Sequence, residues 1–258
     1  MCIVTNTLDK GRREFMRRFE QLKAQYNAIM RNNTQYDYSE LCVSAITSDF
    51  DRIFELAWKT LKEYLWKELG VAGAKSGSPR EILGLAFQYC LINKEELWIA
   101  MLQDRNDDAH IYSKTQAILY KSRIEEQYLP VVGELIDELA EQIPNGEAIS
   151  NVEIPKEKNI PKEIEAGLIE LAKKYNLSEL ILFGSRARGD HWERSDIDLA
   201  IKGCVSPTVF FAFSDEVWKL PTLLMFDFVN LDSDLIGQEL RSDIAKEGIV
   251  LWRKEKIL

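Results

Sequence analysis

At 258 residues, 46% of them hydrophobic and 29% charged, the chain has room for one large or two modest domains with real cores. The formal net charge of −9 excludes a protein that coats nucleic acid non-specifically and leaves only local basic patches for phosphate. Cys2, Cys42, Cys90 and Cys204, with His110 and His191, lack metal-ligand spacing, so no zinc site is expected and the thiols read as reduced. No run of about 18 apolar residues occurs, and Asp9–Arg13 is charged before a signal-type core develops, so the expectation is a cytoplasmic protein without a membrane partner.

In chain order, Phe15, Phe19, Leu22, Tyr26, Ile29 and Met30 recur at three- and four-residue steps and predict a long helix from Lys10 to Asn32. Arg12, Arg13, Arg17 and Arg18 read as its solvated face, with an RNA-facing patch as the alternative. A second helix is expected from Tyr38 to Leu69, ended by Gly70 and Gly73. Ser78-Pro79-Arg80-Glu81 predicts a third helix start, with Ser78 as N-cap, Pro79 in the first turn and Glu81 reaching back. Two further helical segments run from Lys94 to Arg105 and on to Ile143. Trp58, Trp66, Phe87 and Trp98 are expected in the core of this all-helical half.

Late in that half, Arg105 is followed after four residues by His110, Ile111 and Tyr112. Arginine holds phosphate bidentately and imidazole moves protons near neutral pH, a pairing suited to activating a 2′-hydroxyl of RNA. On an unbroken helix Arg105 and His110 lie about 140° apart while Arg105 and Tyr112 share a face, so the pair needs a kink or a second subunit. Asp107 and Asp108 place negative charge beside it. The run resembles the HEPN superfamily, most closely the HepT-type and nucleotidyltransferase substrate-binding proteins, whose pattern is Arg, four residues, His, any residue, Tyr. That resemblance implies a dimerising helical bundle in which Arg105 and His110 are ribonuclease residues and Tyr112 receives AMP from a partner nucleotidyltransferase.

Residues 144–161, polar and with three prolines, read as a linker between a helical domain at 1–143 and a second domain at 162–258. The second alternates helix and strand. A helix runs from Lys162 to Tyr175 with Asn176 as its stop, and an apolar strand ends at Gly184-Ser185, where a helix could begin. Unpaired N–H groups at a helix start, a glycine that admits close approach and the Ser185 hydroxyl make a phosphate-binding turn. Ten residues on, Asp196-Ile197-Asp198 sets two carboxylates on one face of a strand, where they repel unless a cation such as Mg2+ lies between them. Asp227 interrupts another apolar strand, Leu223–Asn230. A helical stretch near Phe210–Leu220, a last helical segment from Ser233 to Gly248 with Leu235, Ile236, Leu240 and Ile244 on one face, and Ile249–Trp252 complete the expected elements.

Gly-Ser, ten residues, Asp-x-Asp and a later Asp resemble the nucleotidyltransferases of the polymerase-beta type, and the length resembles the minimal members. The expected fold class is therefore α+β in two domains: an all-α bundle, then a small α/β nucleotidyltransferase domain with a mixed sheet. The resemblance implies a nucleoside triphosphate substrate such as ATP and two Mg2+ ions held by Asp196, Asp198 and Asp227, with Gly184, Ser185, Arg186 and Arg188 on the nucleotide. The leading expectation is a fused toxin–antitoxin protein, a homodimer or higher oligomer, that modifies Tyr112 of its own or a neighbouring helical domain and has RNA as a possible partner. Its rivals are transfer to a small hydroxylated molecule cradled by the helical domain and a nucleotide-binding interaction module.

Overall fold

The computed structural model describes residues 2–32, 40–107, 114–142, 160–204 and 206–254. They fall into two units, Met1–Ser150 and Asn151–Leu258. His110, Tyr112 and most of the expected linker lie outside the described residues.

The first unit is helical. Helix α1 (Cys2–Asn32) starts earlier than the apolar spacing predicts and packs along α2 (Glu40–Glu63). Phe15, Phe19, Leu22 and Ile29 from α1, with Ile46, Phe50, Ile53, Phe54, Ala57 and Leu61 from α2, are all buried. Helix α3 (Pro79–Gln88) opens with the expected capping box: Glu81 N donates to Ser78 Oγ and Ser78 N donates to Glu81 Oε2 at 2.7 Å. After α4 (Glu95–Asp107) come α5 (Lys114–Arg123) and α6 (Leu129–Gln142). Wide π-turns at Tyr64–Glu68, continuing α2, and at Ile124–Tyr128, between α5 and α6, each carry a buried tyrosine. Tyr64 packs on Phe15 and Tyr128 on Phe50, with ring centroids 5.1 and 5.2 Å apart. Trp98 and Phe87 are in the core, as expected. Trp58 and Trp66 are only half-buried, because each lies under lysines: Lys59 and Lys62 at Trp58, Lys67 and Lys75 at Trp66.

The second unit begins with buried Ile160, which the sequence assigns to the linker, and α7 (Lys162–Lys174). Asn176, left-handed at φ 54°, ends that helix as expected. Then follow β1 (Glu179–Phe183), the short α8 (Gly184–Arg188), β2 (Ile197–Lys202), α9 (Pro207–Val217), β3 (Phe226–Asn230), α10 (Gln238–Glu247) and β4 (Ile249–Arg253). The sheet order is β3-β2-β1-β4. Strand β1 is antiparallel to β2 and β4, while β2 and β3 run parallel, joined through α9; the sheet is therefore mixed, as expected.

Ser206 and Pro207 start α9 earlier than its apolar residues suggest, the Ser206 side chain accepting from Val209 N. The last helix starts later than expected, at Gln238. Leu235 is 96% exposed in the preceding turn, which Arg241 ties down by donating to the carbonyls of Leu231 and Ser233. On one sheet face Ile181, Ala200 and Ile244 form a small core against Phe183, Val229 and Leu231. By strand alternation Asp198 and Asp227 share the face of Ala200 and Val229. Among the described residues no helix is long and apolar enough to cross a membrane.

Candidate functional site

Gly184 is the first residue of α8 and has φ +70°, a conformation that costs an L side chain on the order of 1–2 kcal/mol. A Cβ there would also stand 2.1 Å from Asp198 Oδ2 and 2.8 Å from Asp198 Cγ. Only glycine lets the turn and the carboxylate lie against each other. Ser185 follows at once, and α8 closes after one turn with Gly189 left-handed at φ 79°.

The three aspartates come from neighbouring segments. Asp198 pairs with Phe183 across the antiparallel register and with Asp227 across the parallel one. Asp196 stands one residue before β2, where Ile197 N donates to Met225 O at 2.8 Å and so anchors the start of the strand on the lead-in to β3. Burial, then the charges of Asp227 and Asp196, push the Asp198 carboxyl up to about 6. Burial and the charge of Asp227 raise Asp196 as well, with the Arg186 charge opposing. Asp227 is exposed.

Three mutually repelling carboxylates of hard oxygen beside the Gly184-Ser185 turn fit a divalent cation shared with a polyphosphate, since Mg2+ takes one or two carboxylates and fills its shell with phosphate and water. Among the described residues no group of three or more His, Cys, Asp or Glu is placed to hold a metal ion by itself.

The two arginines expected on the phosphates behave differently. Arg188 is exposed, donating to Asp190 at 3.2 Å and to Glu247 at 2.9 Å, and its charge reaches Asp198. Arg186 corrects the expectation. It is 2% exposed and turned inward, donating from Nε and Nη2 to the carbonyls of Glu193, Ser195 and Asp196. Two residues apart on a helix means about 200° of rotation, so the pair could not both face one ligand.

In the helical unit Arg105 donates to Glu55 at 2.9 Å and lies over the Phe54 ring at 5.6 Å. Burial works to raise the Glu55 carboxyl, but hydrogen bonds from Lys59 and Trp58 and the charges of Lys59 and Arg105 outweigh it and hold the carboxyl below its ordinary value. Just before Arg105, Asp104 takes both its oxygens to Arg123 and accepts from the Tyr128 hydroxyl at 2.5 Å. No spacing rule in the sequence points to these partners, which lie 19 to 50 positions away.

Residues 167–257 match the family model described as "Polymerase beta, Nucleotidyltransferase". The second unit carries a nucleotidyltransferase domain of the polymerase beta type. Residues 14–141 match the model described as "Nucleotidyltransferase substrate binding protein like". A comparison with curated proteins finds no match. The polymerase beta-type domain supports nucleotidyl transfer from a nucleoside triphosphate, and proteins of that family generally use a divalent metal. The chain thus joins, in one polypeptide, a substrate-binding-protein-like domain and a transferase domain, an arrangement that holds the two at high effective concentration.

Proposed function

We propose that this protein transfers a nucleoside monophosphate, AMP from ATP, to a hydroxyl group. The observation that carries the reading is the convergence of Asp198, Asp227 and the Cβ-free Gly184 at one end of the sheet. Asp196, Asp198 and Asp227 would hold two Mg2+ ions, and Ser185 with Arg188 would grip the phosphates. When bound, the ions would neutralise charge on the triphosphate and acidify the acceptor hydroxyl. The acceptor oxygen bonds to the α-phosphorus, the bond from that phosphorus to the bridging oxygen breaks, and pyrophosphate leaves. The hydroxyl proton passes to Asp227, the exposed carboxylate of the three.

The acceptor we propose is Tyr112 of the same or a neighbouring HEPN-like domain, which would make the chain a self-silencing toxin–antitoxin fusion working in the cytoplasm as a homodimer. In that reading Arg105 and His110 form the ribonuclease pair, and an RNA phosphate must displace Glu55 from Arg105. The test is the intact mass of the purified protein before and after ATP and Mg2+, for wild type, Asp196→Asn and Tyr112→Phe. AMP-sized additions that vanish in both variants support the full reading. Pyrophosphate released only with an added small hydroxylated acceptor, and unaffected by Tyr112→Phe, replaces Tyr112 with an external substrate. Nucleotide binding without pyrophosphate under any condition leaves an interaction module.

A further inference from the structure

We infer that Arg186 is a positioning residue that locks the Gly184-Ser185 turn to the backbone of Asp196, so that the phosphate-binding and cation-binding halves of the site move as one body. The inference rests on the proposed site and adds to it a residue that touches neither nucleotide nor metal. Arg186 follows Ser185 directly in the chain. Its Nε donates to Ser195 O at 3.0 Å and to Asp196 O at 3.1 Å, and its Nη2 to Glu193 O at 2.8 Å and to Ser195 O at 2.7 Å.

The loop between α8 and β2 has to deliver Asp196 beside Asp198, and it turns three carbonyls inward to do so. Left without donors, buried carbonyls are costly. The planar guanidinium fork satisfies all three from two nitrogens held in one plane, a spread of donors that a compact ammonium, with all its N–H groups on one atom, does not reproduce. Within the loop Ser195 N donates to Trp192 O and Trp192 N to Ser195 Oγ, each at 3.0 Å, and Asp190 N donates to Ser185 O at 3.2 Å. These bonds shape the loop, and the Arg186 bond to Asp196 O ties its end to α8. On the far side of Asp196 the Ile197–Met225 hydrogen bond takes over, so Asp196 is clamped between α8 and the β3 lead-in.

The experiment measures Mn2+ binding by electron paramagnetic resonance in the presence of a non-hydrolysable ATP analogue. It uses the full chain as wild type, Arg186→Lys, Arg186→Met and Ser195→Ala, at a temperature where circular dichroism shows each folded. A misplaced Asp196 raises the Mn2+ half-saturation concentration at least tenfold in both Arg186 variants, charge retention in the lysine notwithstanding. Ser195→Ala, which keeps the carbonyl contacts, stays within twofold of wild type. A role confined to fold stability lowers the melting temperature and leaves the half-saturation of the folded protein unchanged, and that result overturns the inference. So does loss of fold in both Arg186 variants at every temperature tried. Absence of Mn2+ binding by wild type itself overturns the proposed site along with it, whereas wild-type binding with unaltered Arg186 variants removes only this inference.

Discussion

Asp198 stands directly opposite Asp227 in the parallel register of β2 and β3. The pairing concentrates negative charge where burial has already reduced solvation, and the Asp198 carboxyl is pushed up to about 6 in consequence. A pKa raised on folding means that the folded chain holds the proton more tightly than the unfolded one. The associated stability is complete below the unfolded carboxylate pKa of about 4 and is lost as pH rises through 6.

Asp198→Asn should therefore stabilise the metal-free protein at pH 7.5 and not at pH 4. With the carboxylate only partly buried, solvent screening reduces the gain to roughly 1 kcal/mol, or about 3 °C in melting temperature. Mg2+ with a nucleotide analogue should close the gap by stabilising wild type alone, while the same substitution lowers transfer at least a hundredfold. Thermal melts at the two pH values, with and without the cation, decide it.

Two glycines at the two ends of α8, Gly184 as its first residue and Gly189 as its C-cap, separate backbone strain from site geometry. Gly184 and Gly189 both have φ near the left-handed region, +70° and +79°, but a Cβ at Gly189 meets nothing within 4 Å whereas one at Gly184 meets Asp198 Oδ2 at 2.1 Å. Gly189→Ala should cost about 1–2 kcal/mol and leave the specific activity of the folded protein intact. Gly184→Ala should cost more and abolish activity, since Asp198 must move away. Urea denaturation paired with pyrophosphate release distinguishes the two effects.

Asp104 is the hub that fastens α4 to the turn between α5 and α6. Replacing it with alanine strips the acceptor from a fully buried Tyr128 hydroxyl and the carboxylate from Arg123. The expected loss is about 2–3 kcal/mol, against about 1 kcal/mol for Tyr128→Phe, which removes donor and need together. A double-mutant cycle in urea checks this: the Asp104→Ala cost should fall clearly when Tyr128 is already Phe.

What could be read from the sequence was local. Gly184-Ser185, Asp196-x-Asp198 and the lone Asp227 are visible because turn chemistry and the two-residue strand period act within a few positions. The Ser78–Glu81 capping box and the Asn176 stop are legible for the same reason. The inward turn of Arg186 was not taken from the chain, because three carbonyls of a loop seven to ten residues away decide it. Leu235 misled because its spacing to Ile244 mimics a helical face, while the backbone at Gly237 is extended and starts the helix only there. Trp58 and Trp66 misled because an aromatic in a helical half suggests core, and only packing shows that lysines cover them.

Arg188 supplies the last prediction, which turns on the modest strength of exposed ion pairs. It is held by Asp190 and by Glu247 at the end of α10, and both lift its pKa. If its charge serves the triphosphate, Arg188→Gln should raise the KM for ATP about tenfold. Glu247→Gln should do the reverse on a smaller scale. Exposed ion pairs are weak, so releasing Arg188 from one partner should lower KM by about twofold and no more than fivefold. The gain should shrink as salt rises from 0.05 to 0.5 M, because screening already loosens the pair in wild type. Steady-state pyrophosphate release across ATP and salt concentrations tests both variants; a Glu247→Gln protein with wild-type KM at low salt would show that Arg188 faces away from the nucleotide.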